Sequence, residues 1–273
     1  MTDIFGNFLR MTPSFRGKWR LRRLWEGRLP AGERRTASLP DGSTLDVELD
    51  IPYERMAWLQ VEEWEELLYL KNKLSRGQTF VDVGANIGLW TLTAASAVGT
   101  GGRVFSFEPN PKTFAKLTAN IRRNAVTCVV ETFESAVTGS NCFVTFACEA
   151  AHNVSAITDI EAANTIRVRA VSLDSLLGDR LAQSPIAGIK LDTEGHELAA
   201  LEGAPGILQT NSPWLIVEFN TTLLPSKLLE EWSVYRFLTS LGYKPFVHAP
   251  PLQEKSINGN YIVDGYRNIL FQR

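Results

Sequence analysis

From residue 77 onward, short apolar runs alternate with stretches whose apolar residues recur at helical spacing. Short apolar runs are typical of buried strands, and the longer stretches are typical of helices that pack on a sheet. This alternation predicts an α/β fold in which helices cover both faces of a mostly parallel sheet. The Thr- and Val-rich residues 133–170 are expected to add a hairpin or short strands. We predict strands at 79–83, 103–107, 127–131, 186–191, 214–219, 243–247 and 267–272, and helices at about 87–98, 111–123, 195–203 and 226–240.

The first 76 residues show a different pattern and are predicted to form an extension, not a second core. A Pro-Asp-Gly turn at 40–42, followed by alternating apolar positions, predicts a small hairpin. Apolar residues recur at helical spacing between Trp58 and Leu74, which predicts one amphipathic helix whose glutamates face solvent. We therefore expect an N-terminal extension, 1–76, with a basic helical segment, a hairpin and this helix, followed by a main domain, 77–273.

A strand of the main domain runs directly into a glycine-bearing turn, Phe80-Val81-Asp82-Val83-Gly84-Ala85-Asn86-Ile87-Gly88. Open α/β sheets bind ligands at such strand ends. A dinucleotide site would need glycines at 84, 86 and 89, but the chain has Gly84, Asn86 and Leu89 there. The Asp82 carboxylate would repel a diphosphate and favour a positively charged ligand such as S-adenosylmethionine, whose own carboxylate could use free amides near the helix start. The predicted contacts are Asp82, Gly84, Ala85, Asn86 and Gly88.

The next two strand ends supply the rest of the predicted cofactor site. Glu108 is placed to accept hydrogen bonds from both hydroxyls of an adenosine ribose. Asn110 is expected to cap the helix that begins at Pro111. Strand order places the adenine beside Ser135 and Ala136.

A second group of ionisable residues, Asp192, Glu194 and His196, follows the fourth parallel strand. If a bound S-adenosylmethionine donates its methyl group, the acceptor must be aligned and deprotonated, and a carboxylate or imidazole within reach could do both. Asp192 is the leading candidate for base or substrate orienter and is also expected to contact the cofactor, with Glu194 second and His196 third. The alternative for both acids is helix capping. Glu218 on the neighbouring strand could join Asp192 to hold Mg²⁺, but two acids are a thin ligand set, and we assign no metal residues.

Five segments occur in an order that resembles a known family: VDVGANIGLWTL, FSFEPNP, VSLDSLL, IKLDTEGHELAALEGA and LIVEFN. They are similar to the FkbM family of S-adenosylmethionine-dependent methyltransferases over about 78–219, with a looser tail to 273. The resemblance implies a Rossmann-like class I methyltransferase fold with seven strands, the last antiparallel. It also implies O-methylation of a hydroxyl on a sugar, polyketide or other small metabolite. The family fills the position of His196 variably, often with a small residue.

Charge and composition exclude some classes of binding partner. A net charge of -2 argues against nucleic acid, because domains that bind it are usually basic. No stretch approaches the ~20 apolar residues that span a bilayer, and the three cysteines match no paired spacing, so a cytoplasmic protein is expected. Residues 1–35 carry nine bases against three acids. We expect them to pack against the acidic segment that follows; a weak contact with an acidic partner or a membrane surface is the alternative.

Two other functions fit parts of these patterns. A non-catalytic module could bind an adenosine ligand in the same cleft, or dock a protein through the basic N-terminus. An NAD-dependent oxidoreductase would use the same strand ends, but the missing glycines disfavour it. N-methylation is the alternative to O-methylation.

Overall fold

The computed structural model describes residues 4–11, 18–26, 29, 32–60, 63–127, 129–148, 156–158, 160, 162–178, 180, 185–224, 226–249 and 253–273. In chain order the elements are α1 (Ile4–Met11), α2 (Lys18–Glu26), β1 (Arg34–Ser38), β2 (Thr44–Glu48), α3 (Pro52–Leu59), α4 (Trp64–Lys73), β3 (Thr79–Val83), α5 (Leu89–Val98), β4 (Arg103–Phe107), α6 (Pro111–Arg123), β5 (Val130–Phe133), β6 (Ala136–Val137), β7 (Cys142–Ala147), β8 (Ala156–Ile157), β9 (Thr165–Val171), α7 (Leu173–Leu177), β10 (Ile186–Leu191), α8 (Glu197–Glu202), α9 (Pro205–Thr210), β11 (Trp214–Asn220), α10 (Ser233–Ser240), β12 (Lys244–Ala249), β13 (Gln253–Ser256) and β14 (Tyr266–Gln272).

The central sheet has the strand order β13-β12-β14-β11-β10-β3-β4-β5. Strands β5, β4, β3, β10 and β11 pair in parallel, and β14 is antiparallel to β11. These pairings confirm the Rossmann-like class I fold and its antiparallel last strand. The count of seven strands is wrong by one, because β13 pairs with β12 at the edge. All four residues of β13 are exposed and none is apolar, so hydrophobic patterning carried no signal for it.

Helices cover both faces of the sheet. Because successive side chains of a strand point to opposite faces, the sheet separates two hydrophobic cores. Phe80 of β3 lies in the core formed with α4, α5 and α6. Val81 and Val83 lie in the opposite core, formed with α7 to α10. The first core also contains Leu45 and Trp58, so it is continuous across residue 76. The proposed division of the chain at that point stays a prediction.

Strands β6, β7, β8 and β9 form a second, four-stranded sheet with the order β6-β9-β7-β8. Its longest pairing joins β7 and β9 in antiparallel register. Phe146 and Val168 lie in its own small core. The expected hairpin is therefore part of a larger sheet.

The N-terminal hairpin is confirmed as the antiparallel pair β1 and β2. The single helix predicted over 58–74 is wrong, because α3 ends at Leu59 and α4 begins at Trp64. Between them Gln60 and Glu63 have left-handed backbones, with φ of 58° and 55°, which interrupt a helix.

The helix predicted over 226–240 is also too long. A 3-10 turn at Leu229–Glu231 precedes α10. The backbone amides of Leu229 and Glu230 donate to the carbonyls of Tyr261 and Gly259, and pairing with this later segment replaces the first helical turn.

Several basic residues of the N-terminal extension form ion pairs. Arg34 pairs with Glu48, and both Arg22 and Arg55 lie 3.1 Å from Glu26. The Arg34–Glu48 and Arg55–Glu26 pairs join residues 1–35 to the segment that follows, as expected, whereas Arg22 and Glu26 both lie within 1–35. An acidic partner or membrane contact stays a prediction. Among the helices of the described ranges, none is long and apolar enough to cross a membrane.

Candidate active site

A cavity of about 670 Å³ opens at the carboxyl ends of β3, β4 and β10. The cavity is lined by Val83, Gly84, Asn86, Phe107, Glu108, Pro109, Thr113, Ser135, Ala136, Val137, Phe146, Ile157, Asp192, Thr193 and Glu194. We call it the first cavity.

The glycine turn brings two strand ends into close contact. Gly84 has φ +80°, and a Cβ atom there would lie 1.9 Å from the carbonyl oxygen of Asp192. Gly88 also has a positive φ, +103°. A side chain at position 84 would therefore force the turn and the end of β10 apart.

The amides of this turn already have acceptors inside the protein. Those of Gly84 and Ala85 donate to Phe107, that of Asn86 donates to Glu108, and that of Gly88 donates to Ala85. The expectation that free amides there hold a cofactor carboxylate is wrong for these four groups, because the turn folds back onto the end of β4.

Glu108 lines the first cavity, and each of its two carboxylate oxygens accepts one hydrogen bond from the protein. Oε1 accepts from the Asn110 amide and Oε2 accepts from the Asn86 amide, each at 2.9 Å. Burial raises the pKa of Glu108 to about 7, against these two hydrogen bonds, which lower it. Each oxygen keeps a further lone pair, so the carboxylate can still accept from a diol.

Asn110 caps α6 as predicted, with its side chain accepting from the Lys112 amide at 3.0 Å. It does not line the first cavity. Its contribution there is through its own amide on Glu108.

Asp82 lies elsewhere than predicted. It is fully buried and does not line the first cavity, because strand alternation turns it toward α5. Thr91 donates a 2.6 Å hydrogen bond to its Oδ2. Burial raises the pKa of Asp82 to about 6, and the nearby Lys190 opposes this rise. A direct contact between Asp82 and a cofactor stays a prediction, although Asp82 is not among the residues that line the first cavity.

Ser135 and Ala136 line the first cavity, as their strand position predicted. Across from the turn, the small sheet adds Phe146 and Ile157 as apolar walls. These two were missed because their short strands carry no motif. Thr113 was also missed, although it lies on the helix that follows the FSFEPNP segment.

A second cleft, of about 1020 Å³, meets the first cavity. The two share Asn86, Asp192 and Glu194. The cleft is lined by Arg22, Pro52, Tyr53, Arg55, Met56, Glu63, Asn86, Asp192, Glu194, Glu218, Asn220, Tyr266 and Asn268. The first six belong to the N-terminal extension, and the sequence contained no motif that placed them here.

Asp192 stands at the junction of the two spaces. Lys190 donates a 2.8 Å hydrogen bond to its Oδ2, and the Asp192 amide donates to Val83. Burial alone would lower the pKa of Lys190, but the negative charges of Asp192, Glu63 and Asp82 outweigh it and raise the pKa. Lys190 is thus a buried cation that fixes one carboxylate oxygen of Asp192.

Glu194 and Glu218 complete a cluster of carboxylates with Asp192, whose closest oxygens all lie within 4.8 Å of one another. Burial, followed by the charges of Asp192 and Glu197, raises the pKa of Glu194 to about 7. Burial, followed by Asp192 and Glu194, raises the pKa of Glu218 to about 10. Carboxylates this close cannot all ionise near neutral pH. Three acids are also fewer ligands than Mg²⁺ takes, and we assign no metal here.

His196 does not join this cluster. It precedes α8 and lines neither the first cavity nor the second cleft. Glu194 and Gly195 have φ of 53° and 100°, so the chain turns sharply between Asp192 and His196. The Oε1 atom of Glu197 holds this turn by accepting from the Thr193 amide and hydroxyl and from the Gly195 amide. Glu197 is buried.

Glu63 ties the N-terminal extension to the main sheet. It accepts from the Tyr53 hydroxyl at 2.8 Å and from the Trp90 indole at 3.0 Å. The prediction that this glutamate faces solvent is wrong, because the break between α3 and α4 turns it into the second cleft. Glu62 lies outside the described residues.

Comparisons with known proteins agree with these motifs. Residues 82–245 match the methyltransferase FkbM domain model. The hexuronic acid methyltransferase AglP of Haloferax volcanii is 32% identical over 169 residues, which cover 59% of this chain and 65% of that protein.

Methyltransferase FkbM from Methylobacillus flagellatus KT is 15% identical with a TM-score of 0.47, covering 81% of this chain and 54% of that one. Precorrin-6y C5,15-methyltransferase from Geobacter metallireducens GS-15 is 15% identical with a TM-score of 0.44, covering 78% and 88%. The chain thus spans a little under two thirds of AglP and about half of the Methylobacillus protein. Because the match to the domain model extends over more than half of the chain, the protein belongs to the FkbM methyltransferase family.

Proposed function

We propose that this protein is an S-adenosylmethionine-dependent methyltransferase that methylates a hydroxyl of a sugar or a related small metabolite. The observation that carries the proposal is the junction of two spaces at Asn86, Asp192 and Glu194. A donor in the first cavity and an acceptor in the second cleft would meet there, and positioning supplies much of the rate of an in-line transfer.

The residues of the first cavity suit the adenosine part of the cofactor. Glu108 has spare lone pairs for a ribose diol, while Ala136 and Phe146 offer apolar surface for a base. Asp192 and Glu194 place negative charge at the far end, where an ammonium and a sulfonium are favoured. When bound, the cofactor supplies an electrophilic methyl group.

We assign different tasks to the two acids at the junction. Asp192, with one oxygen fixed by Lys190, orients the acceptor hydroxyl through its other oxygen. Glu194 takes the proton, because its pKa of about 7 suits a base near neutral pH and it lines both spaces. His196 has no part in this proposal, since it lies outside both spaces.

The second cleft favours a hydroxylated acceptor. Tyr53, Asn220, Tyr266 and Asn268 offer aromatic and amide groups that suit a sugar ring. AglP, whose name specifies hexuronic acid, supports a sugar acceptor. The acidic cluster at the junction would repel an acceptor whose reacting group is itself anionic, so we propose a neutral hydroxyl as the nucleophile.

The test is transfer of a labelled methyl group from S-adenosylmethionine to a panel of sugars and sugar acids, followed by mass analysis of the product. The expected result is one added methyl group on an oxygen. Calorimetry with S-adenosylhomocysteine runs in parallel. Folded protein that fails to bind it at millimolar concentration would refute the proposal, whereas binding without transfer to any acceptor would favour a non-catalytic module.

A further inference from the structure

The first cavity offers no cation for the α-carboxylate of the proposed cofactor. None of the described residues that line it is cationic. The backbone amides of Gly84, Ala85, Asn86 and Gly88 already donate hydrogen bonds to acceptors within the protein. The cofactor's α-carboxylate thus has no cationic partner in this cavity, and the second cleft adjoins the cavity at Asn86, Asp192 and Glu194.

Two guanidinium groups, both from the N-terminal extension, line that cleft. Arg55 is committed to the protein, with Nε donating to Glu26 and Nη1 donating to the Leu49 carbonyl at 2.7 Å. Arg22 is not held in this way. Its Nη1 donates to the thioether of Met56, which is a weak acceptor.

The remaining contact of Arg22 is shared. Its Nε lies 3.1 Å from Glu26 Oε1, the oxygen that also pairs with Arg55, yet this Nε is buried and makes no hydrogen bond within the described part of the chain. One carboxylate thus serves two guanidinium groups, so Glu26 alone does not neutralise both. The Arg22 side chain is 33% exposed, so a ligand can reach it.

We propose that Arg22 binds the α-carboxylate of the cofactor, so that the N-terminal extension completes the cofactor site. The inference rests on the proposed function. The second cleft combines a guanidinium with the carboxylates of Asp192 and Glu194. That combination matches the zwitterionic end of an amino acid, since the acids face its ammonium and Arg22 faces its carboxylate.

The test compares two nucleosides by calorimetry: S-adenosylhomocysteine, which carries the amino-acid end, and 5′-methylthioadenosine, which lacks it. Arg22→Gln should weaken binding of the first by roughly 10- to 100-fold, the usual effect of losing a charge-assisted hydrogen bond, and leave the second unchanged. Arg22→Lys should restore part of the loss. The matched control is Arg34→Gln, which removes an exposed arginine on the hairpin and should alter neither affinity.

Three results would overturn the inference. Normal binding of S-adenosylhomocysteine by Arg22→Gln would show that the carboxylate is held elsewhere, and a raised KM for acidic sugars alone would assign Arg22 to the acceptor. Equal weakening of both nucleosides would indicate a distorted cavity. Failure of the unaltered protein to bind either nucleoside would instead refute the proposed function itself.

Discussion

Gly84 is the residue at which backbone geometry and cofactor binding are most tightly linked. Its φ of +80° disfavours any side chain, and an added Cβ would also collide with the Asp192 carbonyl at 1.9 Å. We predict that Gly84→Ala abolishes measurable binding of S-adenosylhomocysteine and lowers the free energy of unfolding by more than the ~1–2 kcal/mol of backbone strain alone. Calorimetry and urea unfolding measure the two effects.

Gly77 provides the matched control for this substitution. Its φ is +82°, but nothing lies within 4 Å of the added Cβ. Gly77→Ala should therefore show the strain without the loss of binding. Equal effects at the two positions would mean that the close approach to Asp192 has no special role.

The raised pKa of Glu194 has a consequence for stability. Burial moves the pKa from an ordinary 4.5 to about 7, so between these values the folded protein binds more protons than the unfolded chain. The protonated Glu194 therefore makes its full contribution to the free energy of unfolding below pH 4.5, and this contribution is lost as the pH rises through 7. We predict that Glu194→Gln flattens the fall in unfolding free energy between pH 5 and 7 by up to ~1.4 kcal/mol per pH unit.

Urea unfolding at several pH values measures this slope. Glu202→Gln, at an exposed position of α8, is the control and should leave the slope as it is. A slope for Glu194→Gln that equals that of the unaltered protein would contradict the proposed burial of a titrating carboxyl.

For single residues, the sequence predicted the position of side chains that directly follow a strand within a recognisable motif. Glu108, Ser135, Asp192 and Glu194 all line the first cavity as expected. The facing of Asp82 was not predictable from the motif alone, because a strand end offers two faces. Arg22 and its neighbours in the cleft were missed because contacts between distant segments leave no local signal.

Among the elements, α6 links the N-terminal hairpin to the glycine turn that follows β3. Asn120 is 2% exposed; its Oδ1 accepts from the Asp46 amide and its Nδ2 donates to the Ile87 carbonyl, both at 3.0 Å. Asn120→Ala leaves both partners unpaired, and we predict a loss of about 2 kcal/mol in unfolding free energy. Asn72→Ala removes an exposed helix side chain bonded to Leu68 and should cost under ~0.5 kcal/mol. Similar losses in urea unfolding would argue against this link.

Elements with a strong hydrophobic period were predicted well, and elements set by tertiary pairing were not. The bounds of β3, β4 and β10 agree with the apolar runs that predicted them. The break between α3 and α4 depends on two left-handed residues that are not glycines. The shortened α10 region depends on backbone bonds to residues 259 and 261, which no local pattern contains.

For the whole molecule, the N-terminal extension forms one wall of the proposed acceptor cleft. Glu63 bonds to Tyr53 and Trp90, and the core is continuous from the hairpin to the central sheet. The sequence placed the cofactor site within the main domain alone. The fold shows instead that the extension contributes six residues to the cleft that meets it.

The central claim is that donor and acceptor meet at Asp192 and Glu194. It is tested most directly by the rate of methyl transfer from labelled S-adenosylmethionine to the accepted sugar, measured for the unaltered protein and for Asp192→Asn. We predict a rate at least roughly 100-fold lower, because the acceptor loses its orienting group, and a much smaller loss of S-adenosylhomocysteine affinity, because Glu194 still faces its ammonium. A variant that transfers methyl at a near-normal rate would contradict the account.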